Sequence, residues 1–293
     1  MRITPNNAGL GARVEGIDLR TPLDQAGFRT LLRALGQYGV LCFPGQDLDA
    51  PQLADFAGRY GELEVNVANL FHAPGHPEIM ILSNMRDAEG KPVGLSDAGQ
   101  GWHTDMSYSS EIALANVLHA KAVPLKDGRP LGDTQFRYMH AAYDDLPHEV
   151  IARLEGRIAI HDFGKFWDIM RNRPGSIRKA LTPEQRAKKP PVPQPIFRTH
   201  PITGRRVLYC NPGYAIRIEG LDQAESDALL EFLFLHQAQS KYLYSHAWVP
   251  GDVLMWDNIG TVHNALANYG EDTPRYILRA QVMATRDYAA LAA

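Results

Sequence analysis

The sequence predicts a β-rich α+β fold, a sandwich or barrel of the jelly-roll kind with flanking helices, and three observations carry that expectation. Short apolar or alternating runs at 79–82, 113–119, 206–210, 253–256 and 276–282 recur with turn residues between them. Many short strands punctuated by turns are the pattern of a double-layered or closed sheet. Three other segments carry a helical period. Finally, residues 162–195 carry many basic residues and prolines and show no strand pattern, which reads as a long insertion between core strands.

The helices have identifiable starts. Asp24 caps a segment whose Phe28, Leu31, Leu32 and Leu35 fall at i, i+3, i+4 and i+7, one apolar face. Val40-Leu41-Cys42-Phe43 then reads as a buried strand stopped by Pro44-Gly45. Asp49 and Pro51 open a second helix with Leu53, Phe56 and Tyr60 inward, and Gly61 is expected to end it. Asp222, with Glu225 at the capping-box spacing, opens a third through Leu229, Leu230, Leu233 and Phe234. The insertion holds Lys165, Arg171, Arg173, Arg178, Lys179, Arg186, Lys188 and Lys189. Structureless segments of that length are usually functional lids or mobile surface.

Composition narrows the function. The 293 residues are 45% hydrophobic and 22% charged, with a formal net charge of −3. That is ordinary for a globular protein, and nothing in the charge balance attracts nucleic acid. No run approaches the ~20 apolar residues of a membrane span. The N-terminal residues lack the apolar core of a signal peptide. Cys42 and Cys210 sit in separate apolar runs and read as reduced, buried thiols of a cytoplasmic protein.

Three segments carry candidate chemistry. In Trp102-His103-Thr104-Asp105, a strand would place His103 and Asp105 on one face, ~6.6 Å apart at Cα, within reach of one metal ion. A lone His-x-Asp occurs often by chance. His263, in Thr261-Val262-His263-Asn264, reads alone as a packed histidine but is a candidate third ligand. Two histidines and one carboxylate form the facial set of non-haem Fe(II) oxygenases, although zinc hydrolases also use three ligands. The run 275–283 alternates, with Arg275, Ile277, Arg279, Gln281 and Met283 on one face and Tyr276, Leu278, Ala280 and Val282 on the other. Two inward arginines ~13 Å apart are costly unless each meets an anion, which suits an anionic cosubstrate beside an anionic substrate. Pairing with internal carboxylates is the alternative.

Taken together, these segments resemble the taurine and 2,4-dichlorophenoxyacetate dioxygenase family, TauD/TfdA, over nearly the whole chain. The resemblance runs through Gly11-Ala12-Arg13-Val14-Glu15-Gly16-Ile17-Asp18-Leu19, Tyr38-Gly39-Val40, Arg59-Tyr60-Gly61-Glu62-Leu63 and 102–105. It continues through Gly132-Asp133-Thr134, Ala141-Ala142-Tyr143, Arg198-Thr199-His200-Pro201, Trp256-Asp257-Asn258, His263 and Arg275-x-x-x-Arg279. It implies one domain over 1–293 with a double-stranded β-helix (jelly roll) and a lid insertion at about 162–195. It implies Fe(II), 2-oxoglutarate and O2 as cofactor and cosubstrates, with His103, Asp105 and His263 as iron ligands. Arg275 and Thr134 would bind 2-oxoglutarate, Arg279 the acidic group of the substrate, and Phe166 and Tyr214 the pocket wall. The expected reaction is hydroxylation of a small carboxylate or sulfonate with release of succinate and CO2, by a homodimer or homotetramer.

Departures from the family pattern bear on the substrate. Asn66 and Asn69 stand where taurine enzymes have a histidine and a tyrosine, and Gly99 replaces an asparagine. They argue against taurine and leave Asn66 and Asn69 as pocket candidates. Leu131-Gly132 and Ile259 also depart from the pattern, but neither alters a ligand. Two other readings are a zinc- or manganese-dependent hydrolase on the same three ligands, which gives Arg275 no role, and a non-catalytic jelly-roll binding module, which predicts a broken triad.

Overall fold

The structure, a computed structural model, describes residues 1–6, 9–65, 71–173 and 178–293. Eight strands form the larger sheet, in the order Arg2–Pro5, Ala12–Glu15, Val40–Phe43, Val253–Asp257, Ala113–Ala122, Tyr276–Met283, His76–Ser83 and His72–Ala73. Its central pairings are antiparallel. A smaller sheet, Leu243–His246, Thr134–Tyr138 and Thr261–Ala265, forms the second layer.

Strand parity decides what each face buries. Leu41, Phe43, Ile79, Ile81, Val117, Met255, Leu278, Ala280 and Val282 pack with Leu31, Leu32, Leu35, Leu53 and Phe56 of two helices, Gln25–Tyr38 and Ala50–Gly58. The alternate residues Val40, Cys42, Met80, Leu82, Leu118, Leu254, Trp256 and Ile277 meet Phe136 of the smaller sheet. The expected two faces of 275–283 are therefore observed, one toward the helices and one into the roll. A one-residue slip would turn every one of these side chains to the wrong layer.

Capping fixes the helices. The Asp24 carboxylate accepts from the Gly27 N–H at 2.7 Å, and Gly39 ends that helix with φ 69°, a left-handed conformation that favours glycine. Asp49 and Gln52 complete a reciprocal capping box. The third helix, Gln223–Gln237, is capped by Asp222, which accepts from the Glu225 N–H at 2.9 Å. Cys42 and Cys210 are free and buried, and burial pushes both thiols up to about 12.

Two expectations need correction. Gly61 does not end the second helix, which stops at Gly58 with Arg59 as its cap. Gly61 serves a close approach instead, since a Cβ there would lie 2.5 Å from the Met283 carbonyl oxygen. The segment 162–195 also contains regular structure: helices Phe163–Arg171 and Pro183–Ala187, and a strand, Val192–Pro195. That strand pairs only with Ile158–His161, at the edge of a three-stranded sheet completed by Ala215–Ile218. Prolines that cannot donate to a ladder are tolerated at such an edge, which is why Pro193 and Pro195 hid it.

No helix among the described residues is long and apolar enough to cross a membrane. We expect Gly61→Ala to destabilise the protein by ~1–3 kcal/mol through overpacking, and Asp24→Ala by ~1 kcal/mol through loss of the cap. Urea unfolding midpoints measure both; an unshifted midpoint for Gly61→Ala would contradict the close approach.

Candidate metal centre

His103 and His263 meet through an isolated antiparallel bridge at the edge of the smaller sheet. The His103 N–H donates to the His263 carbonyl oxygen at 3.1 Å, and the His263 N–H donates back at 2.9 Å. The imidazole centroids lie 4.3 Å apart. Asp105, expected to follow in the same strand, lies in a turn that continues through Met106 at φ 57°. A turn has no ladder to hold it, and the Asn258 side chain takes that place. Its Oδ1 accepts from the Asp105 N–H at 3.1 Å, and its Nδ2 donates to the carbonyl oxygens of Asp105 at 2.9 Å and Ala113 at 3.1 Å.

The result brings all three side chains together. Asp105 Oδ1 lies 3.5 Å from His103 Nε2, and Oδ2 lies 3.6 Å from His263 Nε2. The three potential ligand atoms lie within 4.8 Å of one another. His103 Nδ1 faces the Gly101 carbonyl oxygen at 2.6 Å, so it donates there and leaves a lone pair on Nε2. Burial, followed by the neighbouring His103, pulls His263 down to about 3, against the opposing pull of Asp105. The His263 imidazole is thus neutral near pH 7. Burial disfavours ionisation of Asp105, but Arg279, His103 and His263 outweigh it and hold the carboxyl well below the usual range. Lone-pair imidazole nitrogens facing an ionised carboxylate form a donor set that fits Fe(II).

The two arginines differ in their surroundings. Arg279 Nη2 donates to Asp105 Oδ2 at 3.0 Å and to Asn116 Oδ1 at 2.8 Å, and its Nε donates to Asn116 at 3.1 Å. Its Nη1 makes no hydrogen bond among the described residues. Arg275 is 5% exposed, and no carboxylate among the described residues forms an ion pair with it. Burial disfavours its charged form, with Tyr269 offsetting part of that cost from a ring centroid 5.6 Å away. Gly132 is close: a Cβ there would lie 3.6 Å from Arg275 Nε. Two residues on, Thr134 is buried and its Oγ1 accepts from the Trp248 indole N–H at 3.0 Å, leaving the hydroxyl proton free to donate.

Phe166 and Tyr214 both lie against His103, with centroids at 4.9 and 6.3 Å. Asn66 and Asn69 lie outside the described residues. Sequence reading missed Asn258 as a clamp, Asn116 as the Arg279 acceptor, and Tyr108, whose ring lies tilted against Tyr214 with centroids 4.8 Å apart. Asn116 carried a signal, since a polar amide inside the apolar run 113–119 needs a buried partner.

A model of the taurine catabolism dioxygenase TauD, TfdA family matches residues 2–281. The chain belongs to the TauD/TfdA family. It is 35% identical over 263 residues to an alpha-ketoglutarate-dependent 2,4-dichlorophenoxyacetate dioxygenase of Cupriavidus pinatubonensis, covering 86% of this chain and 87% of that protein. It is 32% identical over 283 residues to a pentalenolactone F synthase of Streptomyces avermitilis, covering 93% and 90%. A crystal structure of AAD-2 with Mn(II) and N-oxalylglycine superposes with a TM-score of 0.79 at 28% identity, covering 98% of both chains. This TauD/TfdA protein is therefore a 2-oxoglutarate-dependent dioxygenase that uses Fe(II), 2-oxoglutarate and O2. Relatives of nearly equal identity bear names with different substrates, so identity alone does not select one.

Other buried histidines set an acid limit. Burial lowers His140 to about 4 and His161 to about 3, the latter helped by Lys165 and Arg198. The unfolded chain takes up these protons below about pH 6.5, whereas the folded chain resists. Their contribution to stability is therefore present above pH 6.5 and lost as pH falls toward 3, at up to about 1.4 kcal/mol per pH unit for each. We expect the urea midpoint of the metal-free protein to fall between pH 6.5 and 4.5, and His161→Leu to flatten that slope. An equal slope in the variant would show that other groups carry it.

Proposed function

We propose that His103, Asp105 and His263 hold Fe(II), that Arg275 and Thr134 bind the distal carboxylate of 2-oxoglutarate, and that Arg279 engages the acidic group of the prime substrate. The observation that carries this reading is the buried Arg275 guanidinium, which pairs with no acid among the described residues. A buried cation is retained where an anion completes it, and the planar fork suits a carboxylate. A zinc or manganese hydrolase on the same ligands would leave Arg275 without a purpose.

Bound together, iron, 2-oxoglutarate and O2 supply an oxidant able to break a substrate C–H bond, with succinate and CO2 released. The chain's own residues bind, orient and exclude water. The Thr134 hydroxyl, oriented by Trp248, donates to the same carboxylate as Arg275. Arg279 keeps Asp105 ionised through Nη2 and offers Nη1 to the substrate acid. Phe166 and Tyr214 hold the target carbon beside His103, and Asn66 and Asn69, outside the described residues, remain candidates from the sequence for substrate binding. An intact Asp105 favours hydroxylation.

We take 162–195 as the lid of this pocket, with Phe166 as its contact to the centre. Some of its charges are engaged locally. Lys165 Nζ donates to the Ala215 carbonyl oxygen at 2.6 Å, Arg171 and Arg186 share Asp168, and Arg178 meets Asp97 at 2.8 Å. The remaining positive charge of the segment adds long-range attraction for anions. The prime substrate is a carboxylate or sulfonate larger than taurine, in keeping with a relative named for an aryloxy acid. The enzyme is taken as a cytoplasmic homodimer or homotetramer.

Arg275→Ala should raise the apparent KM for 2-oxoglutarate by the equivalent of about 2–5 kcal/mol, read as succinate formation against cosubstrate concentration; an unchanged KM would assign Arg275 another partner. A panel of sulfonates, aryloxy acids and amino-acid derivatives, assayed with Fe(II) and ascorbate, should give strong succinate formation with a bulky acid and little with taurine. Efficient taurine turnover would remove the argument from Asn66 and Asn69.

A further inference from the structure

Behind the metal centre lies a second His-His-Asp group. His140, His200 and Asp257 are all buried, and their potential ligand atoms lie within 4.8 Å of one another. The bonds at the far nitrogen of His200 point to a role other than holding a second metal ion. His200 Nδ1 accepts from the backbone N–H groups of Ile202 and Thr203, both at 3.3 Å. The ring hydrogen of a neutral His200 therefore sits on Nε2, which has no lone pair to give an ion. That Nε2 lies 3.0 Å from Asp257 Oδ2, with both side chains fully buried; neither atom completes a hydrogen bond among the described residues, so the close polar contact between them is the only satisfaction either has there. His140 Nδ1 faces the Arg206 carbonyl oxygen at 3.0 Å and donates to it. Gly260 packs so closely on Asp257 Oδ2 that no Cβ fits there.

Asp257 leads directly to the metal centre. Its Oδ1 accepts from the Ile259 N–H at 3.0 Å, and its carbonyl oxygen accepts from the Thr261 hydroxyl at 2.6 Å. Both bonds shape the turn that presents Asn258, which in turn grips both backbone polar groups of Asp105. We propose that His200 is a positioning residue for the metal-binding carboxylate: it fixes Asp257, Asp257 fixes the turn carrying Asn258, and Asn258 fixes Asp105. The proposal rests on the reading of His103, Asp105 and His263 as the metal ligands. It gives a purpose to Arg198-Thr199-His200-Pro201, and to Asp257 beside the Asn258 clamp, neither of which touches the centre directly.

Groups that orient a ligand from behind typically change metal affinity 10–100-fold when removed. The test measures Mn(II) binding to the metal-free protein from the electron paramagnetic resonance signal of free Mn(II). His200→Phe fills the space but removes the donor, and it should weaken Mn(II) by about tenfold or more. His200→Gln places an amide N–H near the Nε2 position and should restore affinity to near wild type. Asp257→Asn sets a donor against the His200 donor and should behave like His200→Phe. Wild-type affinity in either donor-removing variant, or equal loss in His200→Gln, overturns the proposal. His263→Ala separates the two readings: wild-type Mn(II) binding there means the ligand set is wrong, whereas its loss beside an unaffected His200→Phe means only the coupling is wrong. Should the donor-removing variants not fold, Zn(II) binding to wild-type protein labelled with 15N-histidine decides the matter. A shift of the His200 Nε2 resonance supports the relay, and an unmoved resonance overturns it.

Discussion

The centre depends on one buried amide holding a turn that no sheet holds. His103 and His263 are fixed by their mutual backbone bridge at the edge of the smaller sheet. Asp105 has no such partner strand, and its backbone polar groups are paired by Asn258 instead. The same amide reaches Ala113 at the start of a central strand and accepts from Asn116 Nδ2 at 3.4 Å. Asn116 also accepts from Arg279. One side chain thus ties together the turn, the larger sheet and the guanidinium that keeps Asp105 ionised. An unpaired buried amide is costly, so once formed this set of bonds resists partial rearrangement.

That arrangement has an electrostatic consequence. Asp105 Oδ2 faces both the Arg279 guanidinium at 3.0 Å and His263 Nε2 at 3.6 Å. A divalent ion held by the proposed ligands would share this carboxylate with Arg279, and two cations on one oxygen repel in a partly dry site. An anion bridging the far side of Arg279 offsets the repulsion. Metal binding and acidic-substrate binding should therefore reinforce each other. Arg275 stands apart from this balance, because no acid among the described residues pairs with it to compete with an incoming carboxylate.

The layers were legible because strand parity is written directly in residue order. The alternation from Arg275 to Met283 foretold both faces of that strand, and the caps at Asp24, Asp49 and Asp222 lie where side-chain chemistry requires them. The site residues were legible as types: His103, Asp105 and His263 converge as expected. Their geometry was not. His-x-Asp suggested a strand, and the turn at Met106 depends on Asn258, more than a hundred residues away. No local pattern records such a partner. The strand Val192–Pro195 escaped for the opposite reason, since its local signal argued against it while an edge position tolerated its prolines.

The pairing of Arg279 with Asp105 also changes what the two-arginine face means. From sequence, both arginines called for an anion, with internal carboxylates as the alternative to an external one. In the folded chain Arg279 is satisfied through Nη2 and Nε by a ligand carboxylate and an amide, so only Nη1 remains for substrate. Under the proposed role of Arg279, a substrate acid would meet a guanidinium whose orientation is already set by Asp105 and Asn116. Such preorganisation lowers the ordering cost of binding but narrows the directions from which an acid can approach. The aromatic side chains Phe166 and Tyr214, against His103, are left to select the shape of the rest of the molecule. On this view the acid sets the register of the substrate, and the aromatic wall decides which of its C–H bonds faces the metal centre.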